Sequence, residues 1–394
     1  MPAIAPTAPV LTEDMLQQFG ERVAAYDREN RFFTEDFEDL RRSGYLLMPI
    51  PRELGGHGMN VAEVAREQRR LAYRAPATAL ATTMHLYWMG VAADLYRLGD
   101  DSLRWMLEEG ARGEVYAAGH AEPGNDLPLL YSTAKAVRTD GGYRFTGRKS
   151  FGSLSPVWTR FGLHAMDTSD PSNPRVVHAF MPRDTPGYHI EETWDTLGMR
   201  ATSSHDTVLE GAFVPDRYIG RVVNADFAGA DLFVLAVFAW VEPILGSVYL
   251  GIADRALDLA ISGIKSKTSV AQLNRTMAYH PEVQHTIADM VLALDGASAH
   301  VQRIANDWAT GVDHGGAWPA KLVSAKYHAV ETAKRVVDMA LDVSGGSAMF
   351  KRNELERLYR DVRAGCFHPA NSMLVHEIVG KTALGVLGEY PRWG

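Results

Sequence analysis

Cysteine is almost absent. Cys366 is the only one in 394 residues, so no intrachain disulfide can form, and no Cys/His cluster has zinc-ligand spacing. A basic excess is missing too: 40 Lys and Arg against 48 Asp and Glu leave a formal charge of −8. That leaves no basic stripe for phosphates and excludes a nucleic-acid partner, although a local basic pocket remains open. The opening MPAIAPTAPVLTEDM has neither a basic leader nor an apolar core, unlike a secretory signal. The longest apolar run, Leu232–Val241, is too short to span a bilayer and stops at Glu242. Internal repeats and low-complexity tracts are lacking. The expectation is a cytoplasmic protein with no metal, no nucleic acid and no membrane.

What is present is an ordinary globular composition, 46% hydrophobic, over a length that suits about two or three domains. Residues 1–10 are rich in Pro and Ala and read as disordered. Helical periodicity follows, up to about residue 112. In VAEVAREQRRLAYRA (61–75) it places Val61, Val64, Gln68 and Leu71 on one face. The grammar then changes to short apolar runs broken by Gly, Pro, Asp and Ser, as in RVVHAFMP (175–182), which is a strand-and-turn pattern. Long helical segments return at 232–264, 280–309, 320–343 and 371–387, and short joints make them an antiparallel bundle. Pro243 is expected to start or kink the first of these, and Gly345–Gly346 to cap the third. The division expected is 1–112 helical, 113–225 β and 226–394 helical, an α+β class.

Four motifs punctuate this layout: GHAEPGND (119–126), GRKSFGS (147–153), LGMRATSSHDTVLEGAFVP (197–215) and LDVSGGSAMFKRNELERLYRDVRAG (341–365). In this order, with a β-domain between two helical blocks, the chain resembles the acyl-CoA dehydrogenase superfamily of flavoproteins over nearly its whole length. The resemblance implies a helical N-terminal domain, a central β-domain and a C-terminal four-helix bundle. It also implies noncovalent FAD, a homotetramer or else a dimer, and an electron-transfer flavoprotein or flavin reductase as partner. By the same resemblance, Ala121 and Glu122 lie along the flavin edge. Phe151 stacks on the ring, Ser153 donates its hydroxyl to the N5 edge, and Gly152 between them is also cofactor-binding. Arg200, Thr202 and Ser203 close the β-domain over the cofactor. Gly345 and Gly346 admit the cofactor of a neighbouring subunit, with Arg360–Asp361 following. Each motif also has a plainer reading, as a loop, a core Phe, a hairpin ion pair or a helix cap.

The pattern is incomplete. Ala121 stands where the family has Thr, and the loop is two residues short and lacks the Gly-Ser that helps hold CoA. Asp342 replaces a Gln. The region 265–284 lacks the family's Phe-Gly, so Lys267, Thr268 and Arg275 are open alternatives for a diphosphate contact.

The resemblance implies a glutamate that removes the α-proton of an acyl thioester while hydride leaves to flavin N5. Its usual place after Arg-Asp reads His368-Pro369-Ala370-Asn371 here, with proline at the glutamate's position. Other branches carry it on the first bundle helix, ten residues before the glycine of a Leu-Gly pair. Counting back from Gly251 reaches Val241, next to Glu242. A carboxylate suits the task because desolvation can raise its pKa toward neutrality; a glutamate at a helix start beside Pro243 is the plainer reading. Histidines compete for the role: His85 in TTMHLYWMG (82–90), His368 and His376 near the C-terminus, and His120 beside the first loop. Three functions follow. The first is FAD-dependent dehydrogenation of an acyl thioester as the small-molecule substrate. The second is two-component flavin monooxygenation of an aromatic or related ring. The third is a flavin-binding scaffold without chemistry.

Overall fold

The computed structural model describes residues 9–127, 129–225 and 231–388. Most of the stretch expected to be disordered, residues 1–8, lies outside them. Val10 at its end is buried in the core instead.

Five helices come first: α1 (Glu13–Glu29), α2 (Thr34–Arg42), α3 (Val61–Arg74), α4 (Pro76–Arg97) and α5 (Arg104–Ala111). Local chemistry fixes their starts. Thr12 caps α1 through its hydroxyl, and Asn60 with Glu63 forms a reciprocal capping box on α3. Val61, Val64, Gln68 and Leu71 are all buried, as their spacing predicts. Gln68 is tolerated there because Tyr45 donates to it and it donates to the Ala79 carbonyl and the Thr83 hydroxyl. Helix α4 is buried on nearly every side, packed against α3, α5, a long C-terminal helix and the first strand.

The strands are β1 (Tyr116–Gly119), β2 (Lys135–Thr139), β3 (Gly142–Gly152), β4 (Arg160–Asp167), β5 (Arg175–Pro182), β6 (Tyr188–Glu191), β7 (His205–Pro215) and β8 (Ile219–Asn224). They form one sheet in the order β6-β7-β3-β2-β4-β5-β8, with β1 parallel to β4. Strands β4 and β5 are buried at seven of eight positions each, so both of their faces are covered.

Helix α6 (Leu232–Ser266) then begins the C-terminal region, followed by a short hairpin of β9 (Thr268–Ser269) and β10 (Arg275–Thr276). Helices α7 (Pro281–Ala309), α8 (Trp318–Ser344), α9 (Glu354–Val362) and α10 (Ser372–Leu384) complete the chain. Helix α6 neither starts nor breaks at Pro243, which lies inside it. Packing against α8, α3, α4 and α7 outweighs a local cost of about 3 kcal/mol. By length and hydropathy α6 could cross a membrane, but 78% of its most apolar window is buried in this fold, as befits a core helix. Gly345, at φ 73°, caps α8 as its position predicts. Helix α10 stops at Leu384, short of the expected 387, where Gly385 takes a left-handed cap.

One clasp joins the three regions. Arg360 of α9 holds both carboxylate oxygens of Asp27 on α1, at 2.9 and 2.7 Å, and also donates to the Leu197 carbonyl. Beside it, the buried Asp361 accepts from the Met199 amide at 2.6 Å. The turn at 197–200 is thereby pinned between sheet and bundle.

Candidate active site

Under that turn lies a cavity of about 360 Å³. Leu80, Met84 and Tyr87 of α4 form one wall, and Val237, Phe238, Val241, Glu242 and Leu245 of α6 another. His120, Ala121, Phe151, Ser153, Trp194 and Leu197–Met199 come from the β-domain, and Arg363, Ala364 and Phe367–Pro369 close the far side. The walls are largely hydrocarbon.

Residues of two sequence motifs line the cavity, Phe151 and Ser153 of the first and Leu197–Met199 with Ser204 of the second, whereas Arg200, Thr202 and Ser203 do not. Phe151 is 56% exposed, with φ 59°, and meets Trp194 edge-on at 5.9 Å. A hydroxyl chain runs behind them, Ser153 to Ser204 at 2.8 Å and Ser204 to Thr202 at 2.7 Å. Gly152 does not line the cavity. A Cβ there would sit 2.9 Å from the His205 carbonyl oxygen, so its work is to let β3 approach β7.

Glu122 also departs from expectation. Its side chain turns away from the cavity into a buried ion pair with Lys149, and it accepts from Ser132 and the Thr133 amide as well. Burial would raise its carboxyl, but Lys149 and the other donors outweigh that and hold it below the usual range. Burial pushes the Lys149 ammonium down to about 8 against the pull of Glu122. This pair ties the GHAEPGND loop to the GRKSFGS strand. Ala121, next to Glu122 and bridged to Ser150, lines the cavity instead.

Glu242 is fully buried on α6. Its Oε1 accepts from the Ala370 amide at 3.0 Å, while Oε2 has no partner among the described residues. Lys326, buried on α8, donates to the carbonyls of His368 and Ala370, both at 3.0 Å. The 368–370 backbone is gripped from both sides, and the lysine spends its protons on carbonyls rather than on the carboxyl. Burial drives the Glu242 pKa up to about 8, with Lys326 pulling the other way, and drives the Lys326 ammonium down. His368 pairs with the Tyr249 hydroxyl at 2.6 Å, and burial, then Lys326, pushes its imidazole down to about 3.

His85 is not brought to the cavity. Its Nδ1 accepts from the Tyr116 amide and its Nε2 lies 3.0 Å from the Leu46 carbonyl, so both ring nitrogens are committed to backbone. His376 is exposed on α10. Gly345 and Gly346 lie at the end of α8 beside Lys267, away from the cavity walls of the same chain. Lys326, Tyr249 and Lys149 were missed from sequence. Lys326 had a signal: it shares an apolar helical stripe with Leu322, Ala329 and Ala333, where an unpartnered lysine would be costly.

Helices, sheet and bundle follow one another in this order around a cavity with an aromatic wall and a buried carboxyl. Family models described as Acyl-CoA dehydrogenase, N-terminal domain, and Acyl-CoA dehydrogenase, C-terminal domain, match residues 12–114 and 244–373. The amino sugar nitrososynthase DnmZ of Streptomyces peucetius is 30% identical over 369 residues, covering 91% of this chain and 88% of its own. The putative acyl-CoA dehydrogenase YdbM of Bacillus subtilis (strain 168) is 29% identical over 368 residues, covering 92% and 93%. An X-ray structure of a KijD3 in complex with FMN and a dTDP-linked amino keto sugar matches with a TM-score of 0.80 at 26% identity, over 95% of this chain and 92% of that one. The chain belongs to the acyl-CoA dehydrogenase superfamily of flavoproteins. Because a nitrososynthase stands among its near relatives, the expectation of acyl-thioester dehydrogenation is reduced to oxidoreductase chemistry.

Proposed function

We propose that the chain is a flavin-dependent monooxygenase, acting in this cavity on a compact, largely apolar substrate such as an aromatic or related ring. The observation that carries the reading is the burial of Glu242 and His368 without an ion-pair partner among the described residues. Burial raises the Glu242 carboxyl against the pull of Lys326 and lowers the His368 imidazole, so both are driven toward their neutral forms. With the Ser153, Ser204 and Thr202 hydroxyls they make a site of neutral donors and acceptors rather than one built around an ionised base. The shortened AEPGND loop, without the Gly-Ser that helps hold CoA, points the same way.

The residues fit a flavin ring. Phe151 and Trp194 offer an exposed aromatic wall, and Ser153 a hydroxyl at its edge. A bound flavin supplies, when reduced, the means to activate oxygen, and when oxidised, a hydride acceptor. FMN suits the reading because the KijD3 structure holds it; FAD is the alternative for the same walls. Around that group Phe151 would orient the ring, the apolar faces of α4 and α6 would exclude water, and Glu242 Oε2 would hold a proton toward the substrate. Reduced flavin would come from a separate reductase.

One observation favours dehydrogenation as a second reading. Glu242 sits against Ala370, in the segment where the family carries its usual base. The two separate cleanly by experiment. Reduced FMN with oxygen and a panel of aromatic and amine substrates should yield oxygenated product, falling off as pH rises through about 8, where Glu242 loses its proton. Anaerobic bleaching of oxidised flavin by acyl thioesters, increasing through the same pH, would overturn oxygenation in favour of dehydrogenation.

A further inference from the structure

Tyr249 of α6 has a hydroxyl with a single place to send its proton. The side chain is fully buried, and its Oη lies 2.6 Å from Nε2 of His368, the only hydrogen-bond partner it has among the described residues. Two arrangements fit that distance. Either the hydroxyl donates to a bare Nε2, or a protonated Nε2 donates to the hydroxyl oxygen. The second would leave the phenol proton buried with no acceptor, a state that native interiors avoid. The hydroxyl therefore donates. Burial raises the phenol well above its ordinary range, so it keeps the proton it donates. Burial and then Lys326 push the imidazole down to about 3, which leaves it neutral at pH 7. A neutral ring with a bare Nε2 carries its one proton on Nδ1.

That nitrogen opens on the cavity. His368 lines the wall and is half-buried. Its Nδ1 has no partner among the described residues, and it is not sealed away from open space. The ring is held on both sides. Lys326 grips the carbonyls of His368 and Ala370, each at 3.0 Å. On the other side the 363–367 turn lies against Tyr249, where a Cβ on Gly365 would fall 2.8 Å from Val330 Cγ1 and 3.1 Å from Tyr249 Cε1. Only a residue without a side chain lets that turn pack so close to α6 and α8.

We propose that Tyr249 is a positioning residue that locks His368 in its Nδ1–H form, so that the cavity presents a fixed N–H donor and takes substrates bearing an acceptor atom there, such as a carbonyl or ether oxygen. In this form the ring cannot take a proton from the substrate. Nδ1 already holds one, and the lone pair of Nε2 is turned to Tyr249. His368 thus serves as a donor and not as a base. The choice of substrate rests on the cavity being the reaction site; the placement of the proton does not.

The test needs no flavin. In the full chain labelled with 15N-histidine, NMR correlations between ring nitrogens and carbon-bound ring protons tell a protonated nitrogen from a bare one, and Nδ1 from Nε2. The His368 signals are those lost in His368→Gln. The parent should carry the His368 proton on Nδ1, and Tyr249→Phe should turn the ring into a mixture of both tautomers. A proton on Nε2 in the parent would overturn the proposal, and so would an unchanged Nδ1–H pattern in Tyr249→Phe. If that variant does not fold, replacing tyrosine by 3-fluorotyrosine makes the same hydroxyl more acidic, and the Nε2 resonance should move toward the protonated shift; no movement counts against the bond. Acetophenone then probes the donor. It should displace the Nδ1 resonance of the parent, whereas α-methylstyrene, of the same shape without the oxygen, should not. No displacement by acetophenone, or equal displacement by both, would overturn the acceptor requirement. Failure of oxygenation with these results intact would sink the monooxygenase reading alone.

Discussion

Glu242 brings two oxygens into hydrocarbon surroundings and finds a partner for only one of them. Its folded-state pKa of about 8, against an ordinary value near 4.3, has a consequence for stability. Between those two pH values the unfolded chain has released this proton while the folded protein keeps it. The unfolded state thus binds fewer protons, and stability falls as pH rises through that window, then levels off above the folded pKa. Glu242→Gln cannot ionise. Its melting temperature should therefore decline less than that of the parent between pH 5 and 8, measured by calorimetry at matched ionic strength. A parallel decline in both proteins would mean that Glu242 is ionised in the fold, and the case for neutral donors would go with it.

At the scale of elements, the clasp over the cavity depends on Gly198. A Cβ there would fall 2.4 Å from the Arg360 carbonyl oxygen and 2.7 Å from the Asp361 amide, so the 197–200 turn and the start of the 360–361 step touch backbone to backbone. Gly198→Ala should cost about 1–3 kcal/mol of stability through overpacking, and should weaken flavin binding at least tenfold because Phe151 and Trp194 lose their fixed turn. Gly263→Ala, where nothing lies within 4 Å, is the control. Fluorescence titration with FMN checks both. Element order, helix caps and the strand grammar of 113–225 were legible in the sequence because they depend on near neighbours. The side-chain directions were not. Glu122 and Lys149 both sit in motifs that resemble flavin contacts, yet they pair with each other across 27 residues. Glu242 meets Ala370 across 128. Helix α6 runs through Pro243 only because of what packs around it. Pairings of this kind are set by the closed fold, and local pattern carries no trace of them.

At the scale of the molecule, one chain leaves a second apolar groove uncovered. Ile264 of α6 and Val283, Ile287, Val291 and Leu292 of α7 line it, with Leu292 69% exposed. An apolar patch of this sort on a bundle marks an association surface, and we propose that a second copy covers it, as the expected homotetramer or dimer requires. Gly346 stays open in the single chain, where a Cβ would meet nothing within 4 Å, while a Cβ on Gly345 would lie 3.1 Å from Lys267 Nζ. An approaching cofactor from a neighbouring subunit would find bare backbone at Gly346 and the Lys267 ammonium beside Gly345. Leu292→Lys places a charge in the groove without touching the cavity, so it should shift sedimentation toward the monomer. If Gly345–Gly346 complete a partner's site, flavin retention should fall in step with that dissociation. A parent protein that sediments as a stable monomer with full flavin occupancy would show that the two glycines only end a helix.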